Sequence, residues 1–569
     1  MNNYINEAPV ASYTEADYER SIVNSSLWAA AGDAIGWMTE LSGGVNGVMH
    51  RTGHKLVTEP VDWQRRIGGR TGVKVDLPAG TYSDDTQLRL CVSRAIRGNG
   101  SFDVEAFAKI EVTTWQGYCL GAGIGSKAAA TNLTKRGVNW FSNFFDTDHQ
   151  RYITAGGNGA AMRIQPHVWA ANGTLDEMIL RVMRDAIVTH GHPHGFCGAV
   201  FHALCLWITL SSRNIPSLDI AKQFISYMDK LPRILEKDNE LHAFWKPAWE
   251  RESGGSLVDA IHIFQKEALH DFSLVEDAFN TSPSPDYHDI LNRLGCLTDK
   301  YRGSGFKTAF AALVLSILYS SERIEDALTR SANELESDTD TIATMAGAIL
   351  GSLVEFEPNW QIQDMDYLKS EAQRMVLIAK GVRALSFSYP DVSVWEPPMN
   401  QSDSVVMRKG ALALRGIGNL VPLGKEYSSG SSIWQWFQLP FGQSVLAKRR
   451  FNTRSSVNEN QMPGEPLLSK IKSDSTSMKH EQNSFEFTEH KENNNEYHNR
   501  CPNLNISRVE PFPGLDEATN VVIASNFDNE TIGRVINQCI EATGSIELTV
   551  SLSAIIAKAR LARQRRKSN

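Results

Sequence analysis

The sequence lacks the features that would indicate a secreted, membrane-spanning or strongly basic protein. Its seven cysteines include no CxxC pair, and most lie in apolar helical context, so they predict buried thiols of a reducing compartment rather than a disulfide framework. A run of about 18 apolar residues is missing, and the N-terminus has no basic segment followed by an apolar core. The net charge of −8 excludes a global basic field that would attract nucleic acid. We therefore expect a cytoplasmic protein without a membrane span.

Composition divides the 569 residues into four parts. Residues 1–19 form a polar lead-in, and residues 20–395 show helical periodicity with little strand-like alternation, which predicts an all-α domain. Residues 396–505 combine short mixed runs with a tract rich in Asn, Ser, Glu and Lys, which predicts an irregular or disordered linker. Residues 506–569 regain apolar content and end in a basic tail, so they predict a small C-terminal module. Contact with nucleic acid is expected only through that tail, and a solvated helix end is the alternative.

Two adjacent carboxylates, Asp84 and Asp85, follow a turn signal at Pro78–Gly80 and precede an apolar-periodic run. This position predicts the first turn of a helix, where free N–H groups and the helix dipole favour negative charge. One interpretation is a simple helix cap, with Ser83 or Asp84 as the capping residue. The alternative is a chemical role, because two neighbouring carboxylates repel each other and need a reason to stand side by side.

A second acidic stretch of the same kind begins about 250 residues later, where Asp338, Asp340 and Thr341 precede an apolar helix rich in small residues. If the two helix starts face one another, their carboxylates and hydroxyls form an all-oxygen ligand set. Such a set suits Mg²⁺ or Mn²⁺ rather than zinc. Two neighbouring ions would explain why so many carboxylates share one place.

Two more acids and a group of arginines have open interpretations. Asp33 lies within an apolar helical stretch and needs a partner if it is buried, so a hydrogen-bonding role and a chemical role are both possible. Glu40 follows that helix, and a surface glutamate is the alternative to a functional one. A loop over residues 41–80 holds three arginines that would suit a diphosphate or a solvated surface: Arg65, Arg66 and Arg70.

Two glycine-rich loops precede helices, at Gly121–Gly125 and Ala155–Arg163. Backbone N–H groups at a helix N-terminus suit a diphosphate, and a tight turn that needs positive φ is the alternative. The GxGxG pattern at Gly121–Gly125 follows no strand, so it does not indicate a Rossmann dinucleotide site.

Three histidines stand within Thr189–His194. His190 and His194 have HxxxH spacing, but Gly191 and Pro193 between them oppose the helix that would place both on one face. No cysteine or acid nearby completes a zinc ligand set, which argues against a zinc site.

Taken in order along residues 32–351, these segments resemble the ADP-ribosylglycohydrolase family. The motifs are Gly32–Gly36 with Glu40, Ser83–Asp85, Gly121–Gly125, Gly157–Arg163 with Pro166, Asp185 with Thr189–His190, Gly303–Phe306 and Asp338–Thr341. The resemblance implies a mostly α-helical enzyme with a dinuclear metal site that removes ADP-ribose from modified targets. It covers none of residues 400–569.

The resemblance also implies roles for individual residues. Two Mg²⁺ or Mn²⁺ ions are expected on Ser83, Asp84, Asp85, Asp338, Asp340 and Thr341. The residues expected to contact the ADP-ribose ligand are Gly123, Gly125, Gly157, Asn158, Gly159, His190, Gly303, Ser304 and Gly305. Proton transfer is expected from Glu40, Asp84 or Asp85. The substrate would be an ADP-ribosylated protein, nucleic acid or small molecule, and nothing in the sequence specifies the acceptor or the oligomeric state.

Two alternatives accompany this hypothesis. Asp338–Thr341 has the DxD spacing of HAD-type phosphotransferases, but that motif should follow an apolar strand, and the preceding segment here is helical. A non-catalytic ADP-ribose-binding or structural protein of the same fold is the second alternative, against which the complete set of six ligands argues. The chain departs from the family pattern at Glu336–Ser337, where a glycine pair is common, and this places the local backbone geometry in question.

Overall fold

The computed structural model describes residues 14–453, 455–464, 512, 514–543 and 545–567. The chain divides into two compact units, Met1–Lys479 and His480–Asn569. Helices dominate the first unit, which confirms the predicted all-α class for the region of the motifs, and small antiparallel sheets accompany them.

The helices of the first unit are numbered along the chain. They are α1 Glu15–Thr39, α2 Val45–Thr52, α3 Asp84–Ala95, α4 Val104–Ala106, α5 Val112–Trp115, α6 Ile124–Leu133, α7 Gln165–Trp169, α8 Leu175–Ala186, α9 Pro193–Ser212, α10 Leu218–Tyr227, α11 Leu231–Leu235, α12 Lys246–Ser253, α13 Leu257–Thr281, α14 Tyr287–Arg293, α15 Gly305–Leu318, α16 Ile324–Ala332, α17 Thr339–Gly351 and α18 Met365–Ala379. Phe107–Glu111 and Leu241–Trp245 are π-helical turns.

Helix α1 begins before the predicted boundary at residue 20. Thr14 caps it, accepting a hydrogen bond from the Asp17 N–H while the Asp17 side chain accepts from the Thr14 N–H, which satisfies two end groups at once. Residues 15–19 therefore belong to the helix rather than to the lead-in, and residues 1–13 lie outside the described part of the chain.

The close packing of α1 against α17 positions the acidic motifs. A Cβ on Gly32 would lie 2.2 Å from the Ala343 carbonyl oxygen, and one on Gly36 would lie 2.4 Å from the Asp340 Cα. Only glycine allows the two backbones to approach this closely. The contact brings Asp340, at the start of α17, against the helix that carries Asp33.

Helix α9 is long and apolar enough to cross a membrane by length and composition alone. In the structure, 83% of its most apolar window is buried inside the protein. It packs on α15 and α8, so it forms a central core helix of the first unit.

Strands form three small antiparallel sheets. Strands β1 (Trp63–Ile67) and β2 (Val73–Leu77) form a hairpin. A second sheet has the order β3–β4–β5 and a third the order β6–β7–β8. Their strands are β3 Val405–Arg408, β4 Ala411–Leu414, β5 Gly418–Asn419, β6 Val421–Ser429, β7 Ser432–Gln438 and β8 Ser444–Arg450.

These last two sheets correct the prediction of an irregular linker from residue 396. Strand β7 is the central strand of its sheet, and Ile433, Trp434 and Gln435 are buried in succession. A strand covered on both faces loses the alternation of polar and apolar residues that a sequence pattern depends on. The remainder of that predicted linker, residues 465–505, lies outside the described residues.

The sheets share the core of the helical region, so the first unit does not end at residue 395. Phe437 and Val445 are buried in the same apolar cluster as the helices. The Asp364 carboxylate accepts hydrogen bonds from the Tyr82 hydroxyl and from the Ser444 N–H, each at 2.7 Å.

The second unit holds three described helices, α19 Leu515–Ala524, α20 Asn529–Thr543 and α21 Ile546–Lys567. They enclose a small core that includes Val522, Cys539 and Leu552. The basic residues of the chain's end fall on α21, in the region predicted as a C-terminal module.

Candidate metal centre and ligand cleft

Three carboxylates from three helices converge at the centre of the first unit. Asp33 lies on α1, Asp85 in the first turn of α3, and Asp340 in the first turn of α17. One oxygen from each lies within 4.8 Å of the others, and all three side chains are buried. The two acidic helix starts therefore meet, as the sequence predicts.

Asp33 joins this cluster although the expected ligand set omits it. Its Oδ1 accepts a hydrogen bond from the Ser83 N–H and its Oδ2 accepts one from the Thr86 N–H, each at 2.9 Å. The carboxylate thereby caps α3 from outside and fixes the helix start that carries Asp85. The sequence indicates a role for Asp33 only through its place within an apolar helical stretch, because a buried acid needs a partner.

Both expected hydroxyl ligands lie at the cluster. The Thr341 hydroxyl lies 3.2 Å from each carboxylate oxygen of Asp85. The Ser83 hydroxyl accepts a hydrogen bond from the Asp85 N–H at 3.2 Å, so the simple capping role predicted for Ser83 is present. This cap does not exclude a ligand role, because a hydroxyl oxygen has two lone pairs.

Asp338 connects the acids to the glycine-rich loops. The Asn158 side-chain amide donates to Asp338 Oδ2 at 2.9 Å, and the Asn158 N–H donates to the Gly303 carbonyl at 2.9 Å. The Gly305 N–H donates to the Gly156 carbonyl, which completes a short ladder between the two loops. The predicted ligand-contacting segments at residues 157–159 and 303–305 therefore lie side by side next to Asp338.

His190 lies among the same glycines. A Cβ on Gly159 would lie 3.0 Å from His190 Cε1, and Cβ atoms on Gly125 and Gly157 would lie 3.8 and 3.5 Å from His190 Nε2. The Nδ1 atom pairs with the Thr189 hydroxyl at 2.7 Å. Burial lowers the His190 pKa to about 3, so the ring is neutral at physiological pH. Of the predicted contact residues, Gly123 has no neighbouring atom within 4 Å of its Cβ position.

The other histidines of this segment point to different partners. His194 Nδ1 pairs with the Ser304 hydroxyl at 2.9 Å, and its Nε2 pairs with Glu267 at 2.7 Å. His192 accepts a hydrogen bond from the His194 N–H and caps α9. Within the described residues, the acids Asp33, Asp85 and Asp340 form a group whose geometry could hold a metal ion.

Glu40 lies at the edge of the acid cluster. Arg65, on β1, donates to Glu40 Oε2 at 3.1 Å, and its guanidinium lies over the Trp37 ring at 5.2 Å. Burial raises the pKa of Glu40, the Arg65 charge lowers it, and the Asp338 charge raises it, with a net upward shift. Glu40 is therefore held near Asp338 by an arginine from the β1–β2 hairpin rather than lying free on the surface.

The electrostatics of the cluster disfavour several ionised carboxylates in the absence of a cation. Burial, followed by the charges of neighbouring carboxylates, raises the pKa values of Asp84, Asp85 and Asp340 well above their ordinary range. Arg89, hydrogen-bonded to Thr86 and Thr344, is a buried cation that interacts with the Asp85 charge. The charge of Lys127 acts on Asp84 in the same direction, yet the pKa values of these acids stay raised. Divalent ions on an all-oxygen site would favour their ionised forms.

Comparison with known proteins agrees with this geometry. The profile of the ADP-ribosylglycohydrolase family matches residues 14–380, which is more than half of the chain. The chain belongs to the ADP-ribosylglycohydrolase family. The family is metal-dependent, and the buried acids provide a place for metal in this chain.

Named relatives are distant in sequence. The ADP-ribosylhydrolase ARH3 of Xenopus tropicalis is 25% identical over 368 residues, which cover 61% of this chain and 91% of the relative. The ARH3 of Danio rerio is 25% identical over 291 residues, covering 49% and 72%. The ADP-ribosyl-[dinitrogen reductase] glycohydrolase of Rhodospirillum rubrum is 24% identical over 206 residues, covering 36% and 61%. The family match ends before β3, so it covers neither the last two sheets nor the second unit.

Proposed function

We propose that this chain is a divalent-metal-dependent hydrolase that cleaves the ribosyl bond of an ADP-ribosylated substrate and releases ADP-ribose. The observation that carries the proposal is the convergence of buried carboxylates beside two paired glycine loops. Family membership supports glycohydrolase chemistry, and the acid cluster supports metal binding. Arginine-linked, serine-linked and nucleic-acid-linked acceptors all present the same ADP-ribose half to these loops.

The donor set fits two Mg²⁺ or Mn²⁺ ions, held by Ser83, Asp84, Asp85, Asp338, Asp340 and Thr341, with Asp33 as an additional carboxylate in reach. The chemistry that such ions supply is the orientation of the ribose hydroxyls and the stabilisation of negative charge at the reacting oxygen.

The protein's own groups bind and orient the substrate. The N–H groups of Gly157, Gly159 and Gly303 are the donors for the ADP-ribose diphosphate, since those of Asn158, Ser304 and Gly305 donate to carbonyls of the protein itself. The Asn158 side chain joins this region to Asp338. Neutral His190 contributes its Nε2, which faces the same glycines, as a hydrogen-bonding group without adding charge. These contacts fix the ribose beside the acids.

Glu40 is the group best placed to hold or move a proton. Its raised pKa brings a carboxylate closer to the operating pH, which favours general acid–base work. Asp84 and Asp85 are the alternatives, but both are committed to the cation site in this proposal. The Arg65 contact at Oε2 orients the Glu40 carboxylate.

The test is release of free ADP-ribose from arginine-linked, serine-linked and nucleic-acid-linked substrates, with Mg²⁺, Mn²⁺ or EDTA. The double variant Asp84→Ala/Asp85→Ala is the control. We expect metal-dependent release that the variant loses, and the substrate that reacts identifies the acceptor. Tight ADP-ribose binding without release from any substrate would contradict the hydrolase and indicate a non-catalytic binding protein.

A further inference from the structure

A buried chain of polar side chains leads from helix α8 to His190. Asp185, in the last turn of α8, accepts a hydrogen bond at its Oδ1 from Arg163 Nε at 2.8 Å. Arg163 Nη2 donates to the Thr189 hydroxyl at 2.9 Å, and that hydroxyl pairs with His190 Nδ1 at 2.7 Å. Each of these four residues is at most 2% exposed, so their polar groups must satisfy one another.

The same arginine fixes the glycine-rich loop beside His190. Arg163 closes that loop, and its Nη1 donates to the Gly159 carbonyl at 2.9 Å. Its Nη2 also donates to the Asp185 carbonyl at 3.0 Å, and the guanidinium lies over the Phe107 ring at 5.2 Å. The guanidinium therefore holds Gly159 of the loop and the Thr189 hydroxyl in fixed positions relative to each other.

The chemistry of these groups sets the direction of each hydrogen bond. A guanidinium has only donors, so the Thr189 oxygen accepts from Arg163. The Thr189 hydroxyl has a single hydrogen, and within the described residues the acceptor that it can reach is His190 Nδ1. If Nδ1 carried a proton instead, Arg163 and His190 would both donate to Thr189, and the buried hydroxyl hydrogen would lack an acceptor, which is unfavourable. Nδ1 is therefore the acceptor.

This direction makes the other ring nitrogen of His190 a donor. Burial, together with the Arg163 charge, lowers the pKa of His190 to about 3, so the ring carries a single proton at neutral pH. With Nδ1 as acceptor, that proton is on Nε2. Nε2 has no partner among the hydrogen bonds of the part of the chain that the structure describes, and it lies against Gly157 and Gly159. A ligand oxygen would satisfy this otherwise unpaired N–H group.

We propose that Thr189, oriented by Arg163, is a positioning residue that holds His190 in the tautomer with the proton on Nε2. His190 then acts on the ligand only as a hydrogen-bond donor, and it accepts no proton during the reaction. The identity of the ligand as ADP-ribose rests on the proposed function, whereas the tautomer of His190 does not.

The tautomer is measured by NMR of the full-length protein, deuterated and labelled with ¹⁵N in the histidine rings. A ring nitrogen that carries a proton and one that does not have well-separated ¹⁵N chemical shifts. His190→Gln identifies the His190 signals by their loss. This measurement needs neither a ligand nor catalytic activity.

The test variant is Thr189→Val, which keeps the shape of the side chain and removes its hydroxyl. Arg163 Nη2 retains its hydrogen bond to the Asp185 carbonyl in this variant. Thr189→Ser keeps the hydroxyl and tests rescue. Thr209→Val is the matched control, because Thr209 is buried in α9 and its hydroxyl donates to the Cys205 carbonyl at 2.8 Å, away from this chain of contacts.

We expect a protonated Nε2 and an unprotonated Nδ1 for His190 in the wild-type protein and in Thr209→Val. Thr189→Val should move both ¹⁵N shifts toward those of a mixture of the two tautomers, and Thr189→Ser should restore the wild-type shifts. A proton on Nδ1 in the wild-type protein, or wild-type shifts in Thr189→Val, would overturn the proposal.

Calorimetric titration with ADP-ribose tests the donor role. The affinity of Thr189→Val should be about tenfold lower than that of the wild-type protein, because a fraction of His190 then turns a lone pair toward the ligand oxygen. Thr189→Ser and Thr209→Val should bind like the wild-type protein. Equal affinity in Thr189→Val, or no binding of ADP-ribose to the wild-type protein, would overturn the donor role.

Turnover separates this proposal from the general function. Thr189→Val should mainly raise KM for the substrate that reacts, since a donor that binds the ligand before the reaction contributes to ground-state binding. A loss confined to kcat would instead indicate that His190 transfers a proton, which contradicts the proposal. If no substrate releases ADP-ribose while the ¹⁵N shifts and the ADP-ribose affinity respond to Thr189→Val, the hydrolase proposal fails and the positioning role of Thr189 stands.

Discussion

The Thr341 hydroxyl lies 3.2 Å from each oxygen of the Asp85 carboxylate, although 256 positions separate the two residues. Each residue lies in the first turn of a helix, so the contact joins two helix N-termini. Helix N-termini favour negative charge, which lowers the cost of collecting carboxylates there. The fold thereby collects buried acids whose ionised forms a cation would stabilise.

Neutralising one of these acids should stabilise the metal-free protein. Asp340→Asn removes a buried charge that its neighbours disfavour, and we expect the free energy of unfolding in EDTA to rise by about 1–3 kcal/mol. Asp33→Asn should lower the free energy of unfolding by about 1–3 kcal/mol. It replaces one of the two carboxylate oxygens that accept hydrogen bonds from the Ser83 and Thr86 N–H groups. Denaturant unfolding of both variants checks this. A loss of stability in Asp340→Asn equal to that in Asp33→Asn would contradict it.

Stabilisation by a divalent cation should increase with pH. The folded-state pKa values of Asp84, Asp85 and Asp340 lie above their unfolded values, so their contribution to stability is present at low pH and is lost as pH rises through the folded pKa values. A cation binds the deprotonated carboxylates, so the stabilisation that it gives increases as these groups lose their protons at higher pH.

Thermal unfolding with Mg²⁺ and with EDTA, at about pH 6 and about pH 8, measures this dependence. At a cation concentration of 100 times Kd, binding stabilises the folded state by about 2.7 kcal/mol. The Tm difference between Mg²⁺ and EDTA should be larger at the higher pH. An equal difference at both values would show that the cation binds elsewhere.

Gly121→Ala should weaken the cation site although it replaces none of the proposed ligand residues. Gly121 has φ +96°, and its added Cβ would lie 2.6 Å from Asp84 Oδ1, so the Asp84 carboxylate must move. We expect metal affinity to fall about 10- to 100-fold, as for other changes that displace a ligand through its neighbours. Gly53→Ala is the matched control, because Gly53 has φ +80° and no atom within 4 Å of its Cβ position. Calorimetric Mg²⁺ titration measures both; equal affinities would refute the steric argument.

Arg65 should act on catalysis by positioning Glu40. The ion pair is mostly buried, with 15% of the Arg65 side chain and 17% of the Glu40 side chain exposed. Removing Arg65 would therefore leave the Glu40 carboxylate without the partner that orients it. Arg65→Ala should lower kcat about tenfold, or about 1.4 kcal/mol, and leave KM for a phosphate-free acceptor substrate unchanged. Lys74→Ala, an exposed cation on strand β2, is the control. An equal fall of kcat in Arg65→Ala and Lys74→Ala, or a change in KM without a change in kcat, would argue against the positioning role.

The clustering of the acids was predictable because they stand in short local motifs. Asp84, Asp85, Asp338 and Asp340 each lie at a helix start, and helix starts have local sequence signals. Asp33 was noted as a buried acid but was not assigned to the cluster, since its two N–H partners belong to a segment about 50 residues away. That pairing depends on the crossing of α1 with α3, which no local pattern encodes.

The sheets after residue 396 were missed for a different reason. Trp434 and Gln435 are both buried, because β7 contacts neighbours on both faces, and the alternation that marks a half-buried strand is absent. The Arg65–Glu40 pair was missed as well, since the arginine reaches the acid only once the β1–β2 hairpin has formed. Contacts of this kind between distant segments have no local sequence signal.

The most direct test of the central claim is the rate of ADP-ribose release before and after removal of divalent cations. Protein treated with EDTA should release no ADP-ribose, addition of Mg²⁺ or Mn²⁺ should restore the rate, and Asp340→Asn should stay inactive under both conditions while remaining folded. Release at the same rate from EDTA-treated protein, or from Asp340→Asn, would contradict a cation site at the acid cluster as the basis of the activity.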